Sequence, residues 1–256
     1  MRHLTLLFTT CLFIAQLNIS NSNAAEPNNL DIYLLMGQSN MAGRGKMTDE
    51  DKLPVDGILM LDKNNTWQSA KHPLHFDKSI AAVGLGLDFA KNVTKKEGTV
   101  IGLVPCAVGG TKLSRWVKEA DLYENAVKRA KLAAKSGTIR GVLWHQGEGD
   151  TGNAELANTY APRLDAMIAD LRKDLDQPEL PFVAGQLGQF FLKKRSTPES
   201  ATVANALKKL PSRVENTGHV LSTGIDHKGD QTHFNAQGYK EFGKRYAQVM
   251  NKLLQQ

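Results

Sequence analysis

Short apolar runs alternate with longer amphipathic stretches along most of this 256-residue chain, and that rhythm restricts it to few folds. The runs Asp31–Met36, Gly57–Leu61, Thr99–Pro105, Ile139–His145, Pro181–Leu187 and His219–Ser222 read as strands. The stretches Ser79–Lys96, Asp121–Lys135, Asn153–Leu175, Pro198–Lys209 and Asn235–Leu253 read as helices. Strand-helix alternation predicts an α/β fold with a parallel sheet covered on both faces. In such a sheet ligands gather beyond the carboxyl ends of the strands, so the loops after the strands are where chemistry is sought.

The alternation begins only after residue 25. Arg2, an apolar stretch from Leu4 to Leu17, and small residues at Ser22 and Ala24 predict a secretory signal cut after Ala24 or Ala25. The stretch is roughly 14 residues, shorter than the ~20 of a membrane span, although a signal anchor is the alternative. Cys11 lies inside it, without the small residues that precede a lipidated cysteine. The expected mature chain, residues 26–256, suffices for a single domain with a buried core. It retains one cysteine, Cys106, so no internal disulfide can form, and an exported, periplasmic or secreted bacterial protein is expected. The formal charge of +6 is spread along helices, as at Lys128, Arg129, Lys131 and Lys135, without interleaved aromatics. That is the pattern of a solvated face rather than a nucleic-acid surface, and it permits attraction to acidic polysaccharide equally well.

Three loops follow predicted strands. Gly37-Gln38-Ser39-Asn40-Met41 follows the first, Val108-Gly109-Gly110-Thr111 the third, and His145-Gln146-Gly147-Glu148 the fourth. A serine at a strand mouth is a nucleophile only if an imidazole takes its proton and a carboxylate orients that imidazole. Asp230 and His233, three residues apart in a loop, offer both. Ser39 reads equally as a helix N-cap, and Asp230 with His233 as an ordinary surface loop. The amides of Gly109 and Gly110 and the side chain of Gln146 are candidate oxyanion donors, each worth about 3–4 kcal/mol in a transition state. The glycines read equally as an unusual turn, and Gln146 as a buried scaffold residue.

His145, Glu148, Asp226, His227, Asp230 and His233 together offer metal-ligand chemistry, but no His-Glu-x-x-His element or cysteine pair accompanies them. No metal is expected. Gly84-Leu85-Gly86-Leu87 lacks the third glycine of a dinucleotide loop, and Gly109-Gly110-Thr111-Lys112 lacks phosphate-loop spacing. Trp67, Trp116 and Tyr123 are either a sugar-stacking surface or core.

Gly37-Gln38-Ser39-Asn40-Met41-Ala42-Gly43, Val108-Gly109-Gly110-Thr111, Trp144-His145-Gln146-Gly147-Glu148 and Asp230-x-x-His233-Phe234 resemble, in order, the four blocks of the sialate O-acetylesterase-like branch of the SGNH hydrolases. Within that branch they are most similar to carbohydrate esterase family 6, the acetyl xylan esterases. The resemblance implies a three-layer flavodoxin-like fold with a central parallel sheet of about five strands. It implies no cofactor, an acetylated polysaccharide or oligosaccharide as partner, and removal of acetyl groups from sugar hydroxyls; from the charge pattern and the short apolar stretch, neither nucleic acid nor stable membrane association is expected. By position, Ser39 would be nucleophile, His233 base and Asp230 its acid, with the Ser39 and Gly110 amides and the Gln146 side chain holding the oxyanion. The superfamily's third block is Gly-x-Asn-Asp, and this chain has His145-Gln146-Gly147-Glu148 instead. Glu148 is therefore a rival or auxiliary acid. Sialic-acid O-acetylesterase, broad short-chain acetylesterase and a non-catalytic glycan-binding module are the alternative functions.

Overall fold

The run that opens the alternation, β1 (Leu30–Gly37), is buried at every position, which explains why it is apolar apart from Asp31 instead of alternating. The computed structural model describes residues 27–95 and 97–255, so the expected signal segment lies outside the described residues. The other strands are β2 (Ile58–Leu61), β3 (Trp67–Ser69), β4 (Val100–Pro105), β5 (Gly137–His145), β6 (Phe182–Gly185) and β7 (Thr217–Val220). Among the described residues they form one seven-stranded sheet in the order β3-β2-β4-β1-β5-β6-β7. β1 runs parallel to both β4 and β5, and the β2–β3 pair is antiparallel.

Alternate residues of β1 feed two separate cores. Leu30, Ile32, Leu34 and Met36 face α3 (Asp121–Ala133), α5 (Tyr160–Asp174) and α7 (Pro198–Lys208), which contribute Tyr123, Leu164 and Val203. Tyr33 and Leu35 face α2 (Gly86–Asn92) and α8 (Ala236–Leu254). α8 presents Tyr239, Phe242, Tyr246 and Met250 at helical spacing, and the Asn235 side chain caps it by accepting from the Gly238 amide at 2.7 Å. Three short helices, α1 (Ser39–Ala42), α4 (Ala154–Asn158) and α6 (Gln189–Arg195), lie in the connections. Trp116 and Tyr123 are fully buried, and Trp67 is half-buried with its indole donating to Ser136, so these three aromatics are structural. Cys106 is also buried, which pushes its thiol up to about 11.

The expected α/β architecture is present, with seven strands rather than five. β3 escapes notice because its three residues include two exposed ones. The helix expected from Ser79 starts only at Gly86, because residues 78–81 close a turn and Ala82 and Val83 donate to the carbonyls of Gly43 and Gly45. The helix expected over 153–175 is broken at Thr159. Pro162 has no N–H and its ring excludes the carbonyl of Asn158, so it fits only in the first turn of a new helix.

Gly37 ends β1 with φ +129°, and a Cβ there would run into the His145 carbonyl at the end of β5. Only glycine allows two strand ends to approach so closely. Gly37→Ala is expected to lower unfolding stability by about 3 kcal/mol, from a strained backbone plus overpacking. Urea denaturation checks this, and an unchanged midpoint would contradict the close approach.

Candidate active site

Three strand ends define the rim: β1 delivers Ser39, β4 leads to Gly109-Gly110, and β5 leads to Gln146 and Glu148. The Gln38 amide donates to the His145 carbonyl at 2.8 Å and the Val108 amide to the Gly37 carbonyl at 3.0 Å, so both flanking loops are fastened to β1. Ser39 is the first residue of α1 and is 7 % exposed. Its amide has no intrahelical partner, as for any first helical residue.

His233 arrives from a loop 194 residues further along, and its Nε2 lies 3.0 Å from Ser39 Oγ. Its Nδ1 lies 2.7 Å from Asp230 Oδ2, while Asp230 Oδ1 accepts from the Thr232 and His233 amides at 2.9 and 2.8 Å. Burial alone would raise the Asp230 carboxyl, but the His233 amide, the His233 ring and the Thr232 amide outweigh it and hold the group at about 2. An ionised carboxylate only accepts, so Nδ1 carries the proton and Nε2 is free to receive one from Ser39. The loop is compact: Lys228 donates to the His233 carbonyl, Asn235 to the Asp226 carbonyl, and Gly229 to His227 Nδ1 at 2.9 Å. Gln231 at its tip has φ +52°.

Asn40 joins that loop to α1. Its Nδ2 donates to Glu148 Oε1 at 2.6 Å and to the Thr232 carbonyl at 3.0 Å. Its Oδ1 accepts from the Tyr239 hydroxyl at 2.7 Å and from the Phe234 amide at 3.4 Å. Every donor and acceptor position of the carboxamide is used, in a side chain with no exposure.

Two sequence expectations need correction. Glu148, considered as a rival acid, has no hydrogen bond to His233; its carboxylate meets Asn40 and lies 3.5 Å from His145 Nε2. Burial opposes its ionisation, yet the His145 ring and the Asn40 amide hold its pKa below the usual value. Gln146, considered as the third oxyanion donor, is fully buried and commits its amide hydrogens to the Thr111 carbonyl at 3.0 Å and Asp150 Oδ2 at 2.7 Å. The Tyr160 hydroxyl donates to its oxygen. Its work is to brace the loop after Gly110 from beneath.

The Gly109-Gly110 turn is held by residues that no motif marks. Asp77 Oδ2 accepts from the Gly109 amide at 2.8 Å and pairs with Arg44 at 2.7 Å, both side chains being almost wholly buried. Breaking such a pair by removing one partner costs about 3–5 kcal/mol, so the turn is stiffly set. The Gly109 amide is thereby spent. Gly110 has φ +79°, and its amide has no hydrogen-bond partner among the described residues. The amides of Ser39 and Gly110 are thus left without a hydrogen-bond partner among the described residues at this rim. The potential metal ligands are not gathered: among the described residues no three His, Cys, Asp or Glu side chains converge.

Comparison with known proteins gives a consistent picture. The family model described as carbohydrate esterase, sialic acid-specific acetylesterase, matches residues 29–252. An Arabidopsis thaliana protein named "Probable carbohydrate esterase" is 34% identical over 242 residues, 85% of this chain and 89% of its own length. The X-ray structure of an Arabidopsis thaliana protein matches with TM-score 0.80 and 33% identity, over 88% of this chain and 99% of that one. A carbohydrate acetylesterase from Xanthomonas citri shares the fold, with TM-score 0.67 and 21% identity over 88% of this chain and 57% of its own.

Asp230→Asn is expected to lower turnover of an aryl acetate at least about 100-fold, since a neutral amide no longer fixes the Nδ1-protonated tautomer. A loss below tenfold would mean that another carboxylate reaches His233. The depressed Asp230 carboxyl stays ionised until pH falls through about 2. Protonation of Asp230 should therefore leave no step in the rate above pH 4, and a step there that disappears in Asp230→Asn would contradict the assignment.

Proposed function

The chain belongs to the carbohydrate esterase family of sialic acid-specific acetylesterases and is a carboxylic ester hydrolase; we propose that it removes O-acetyl groups from carbohydrate through an acetyl-enzyme on Ser39. The observation that carries this reading is the relay from Ser39 Oγ to His233 Nε2 at 3.0 Å and from His233 Nδ1 to Asp230 at 2.7 Å.

Ser39 Oγ attacks the acetyl carbonyl carbon while His233 Nε2 takes its proton. The carbonyl oxygen becomes an oxyanion held by the Ser39 and Gly110 amides. Collapse breaks the bond to the sugar oxygen, which leaves with the proton from His233. Water, deprotonated by His233, then attacks the acetyl-enzyme; acetate leaves and Ser39 regains its proton. Asp230 remains ionised throughout and stabilises the transient imidazolium.

Acetylated xylan is the substrate we favour, on the similarity of the four blocks to the acetyl xylan esterases. Acetylated sialic acid is the second reading, favoured by the description of the matching family. A polymeric substrate also accords with the export expected from residues 1–25, and we place the working enzyme outside the cytoplasm.

Ser39→Ala is expected to retain less than about one-thousandth of aryl acetate turnover with an unchanged unfolding midpoint, and His233→Ala to lose a similar amount. Retention of a few percent by Ser39→Ala would refute the nucleophile. Acetate release from acetylated xylan, mannan, pectin and sialic acid separates the substrates. Preference for sialic acid would replace the xylan reading.

A further inference from the structure

The carboxyl rim continues past Gly110. β2 lies two strands from β1, roughly 10 Å away at the usual strand spacing, on the β4 side and thus on the side of the Gly109-Gly110 turn. Beyond its carboxyl end is an open cleft of about 440 Å³ whose lining includes Asp62, Gln68, Phe76, Lys78 and Ser79. One wall is the segment around Asp77, the residue that fastens Gly109. A Cβ on Gly109 would lie 3.4 Å from that of Ser39, and one on Gly110 3.9 Å from Lys78 Nζ. Lys78 thus lies between the cleft it lines and the glycine turn beside Ser39, and the segment around it is fastened by the buried Arg44–Asp77 pair.

Two side chains in the cleft have no structural employment of their own. Phe76 is 46 % exposed although it is a large aromatic. The Arg129 guanidinium lies 5.2 Å from its ring centroid, and Arg129 is itself buried and bonded to the carbonyls of Leu61 and Asp62. The ring is thus steadied by a fixed cation while much of its surface remains in solvent. Lys78 is exposed, and its ammonium has no ion pair or hydrogen bond among the described residues. An exposed aromatic rimmed by polar groups beside a reactive site is a ligand-binding arrangement. Asp62, Gln68, Ser79 and Lys78 offer the mixture of acceptors and donors that sugar hydroxyls require.

We propose that this cleft is a second carbohydrate subsite, taking a sugar ring that neighbours the acetylated one, with its C–H face on Phe76 and a ring or hydroxyl oxygen accepting from Lys78. The inference rests on the reading of Ser39 as the nucleophile of a carbohydrate esterase, and it deepens that reading: the substrate is an oligosaccharide chain rather than a single sugar.

The test is calorimetric titration of the Ser39→Ala chain with an acetylated xylo-oligosaccharide and with the corresponding acetylated monosaccharide. The oligosaccharide is expected to bind about tenfold tighter, with the gain lost in Ser39→Ala/Phe76→Ala, diminished in Ser39→Ala/Lys78→Ala and kept in Ser39→Ala/Phe76→Tyr. Thermal melts of each variant exclude misfolding as the cause of a loss. Equal affinity for the two ligands, a gain that survives Phe76→Ala, or no binding of the oligosaccharide would each overturn the subsite. Aryl acetate, which has no second ring, reads the other claim separately. Length-dependent binding by a chain that fails to turn over aryl acetate would keep the subsite and remove the esterase mechanism; turnover without length dependence would do the reverse.

Discussion

One buried carboxamide links the two ends of the chain. Asn40 stands next to Ser39 and bonds to the backbone on either side of His233, through the Thr232 carbonyl and the Phe234 amide. Between the buried Ile225 and Phe234 the loop that bears Asp230 and His233 has no buried residue, so apolar contact fixes it only at its ends. Here it is tied to the first strand's exit by an amide whose loss would leave Glu148 buried without its closest partner. Removing one member of such a network costs the desolvation of the others as well, about 1–3 kcal/mol for each orphaned group. Serine and imidazole are thus held at hydrogen-bond distance by an element separate from the relay itself.

The same network separates two carboxylates that the sequence leaves interchangeable. Asp230 is partly exposed, takes two backbone amides and meets the imidazole that faces Ser39. Glu148 is sealed behind α1 and meets a different imidazole, that of His145, which also contacts the Tyr246 hydroxyl at 3.2 Å and packs edge-on against Phe242. Asp230 is therefore bonded to the imidazole that reaches Ser39, while Glu148 is built into the scaffold behind it.

Much of the fold was legible because β1 is a nearly continuous apolar run and α8 carries a helical periodicity, and Ser39, Asp230 and His233 stood out because each lies in a short local pattern with glycine or a capped helix beside it. The illegible features depend on tertiary contact. Nothing in Gln146 itself says whether its amide turns toward the rim or toward Thr111 and Asp150; its burial decides. Arg44 and Asp77 belong to no motif and meet only when the chain folds. The late start of α2 follows from hydrogen bonds to residues 43 and 45, which helical periodicity over 79–85 does not register. The break at Thr159 had a signal in Pro162, but the helix expected over Asn153–Leu175 ran through it.

The relay lies at the lip of the molecule: the His233 and Asp230 side chains keep 22 % and 38 % of their surface in solvent. A relay of that shape can be met by grazing contact: an ester that projects from a larger carrier reaches it without the carrier being drawn inward, and on the proposed reading of an acetylated glycan as substrate no free chain end is needed.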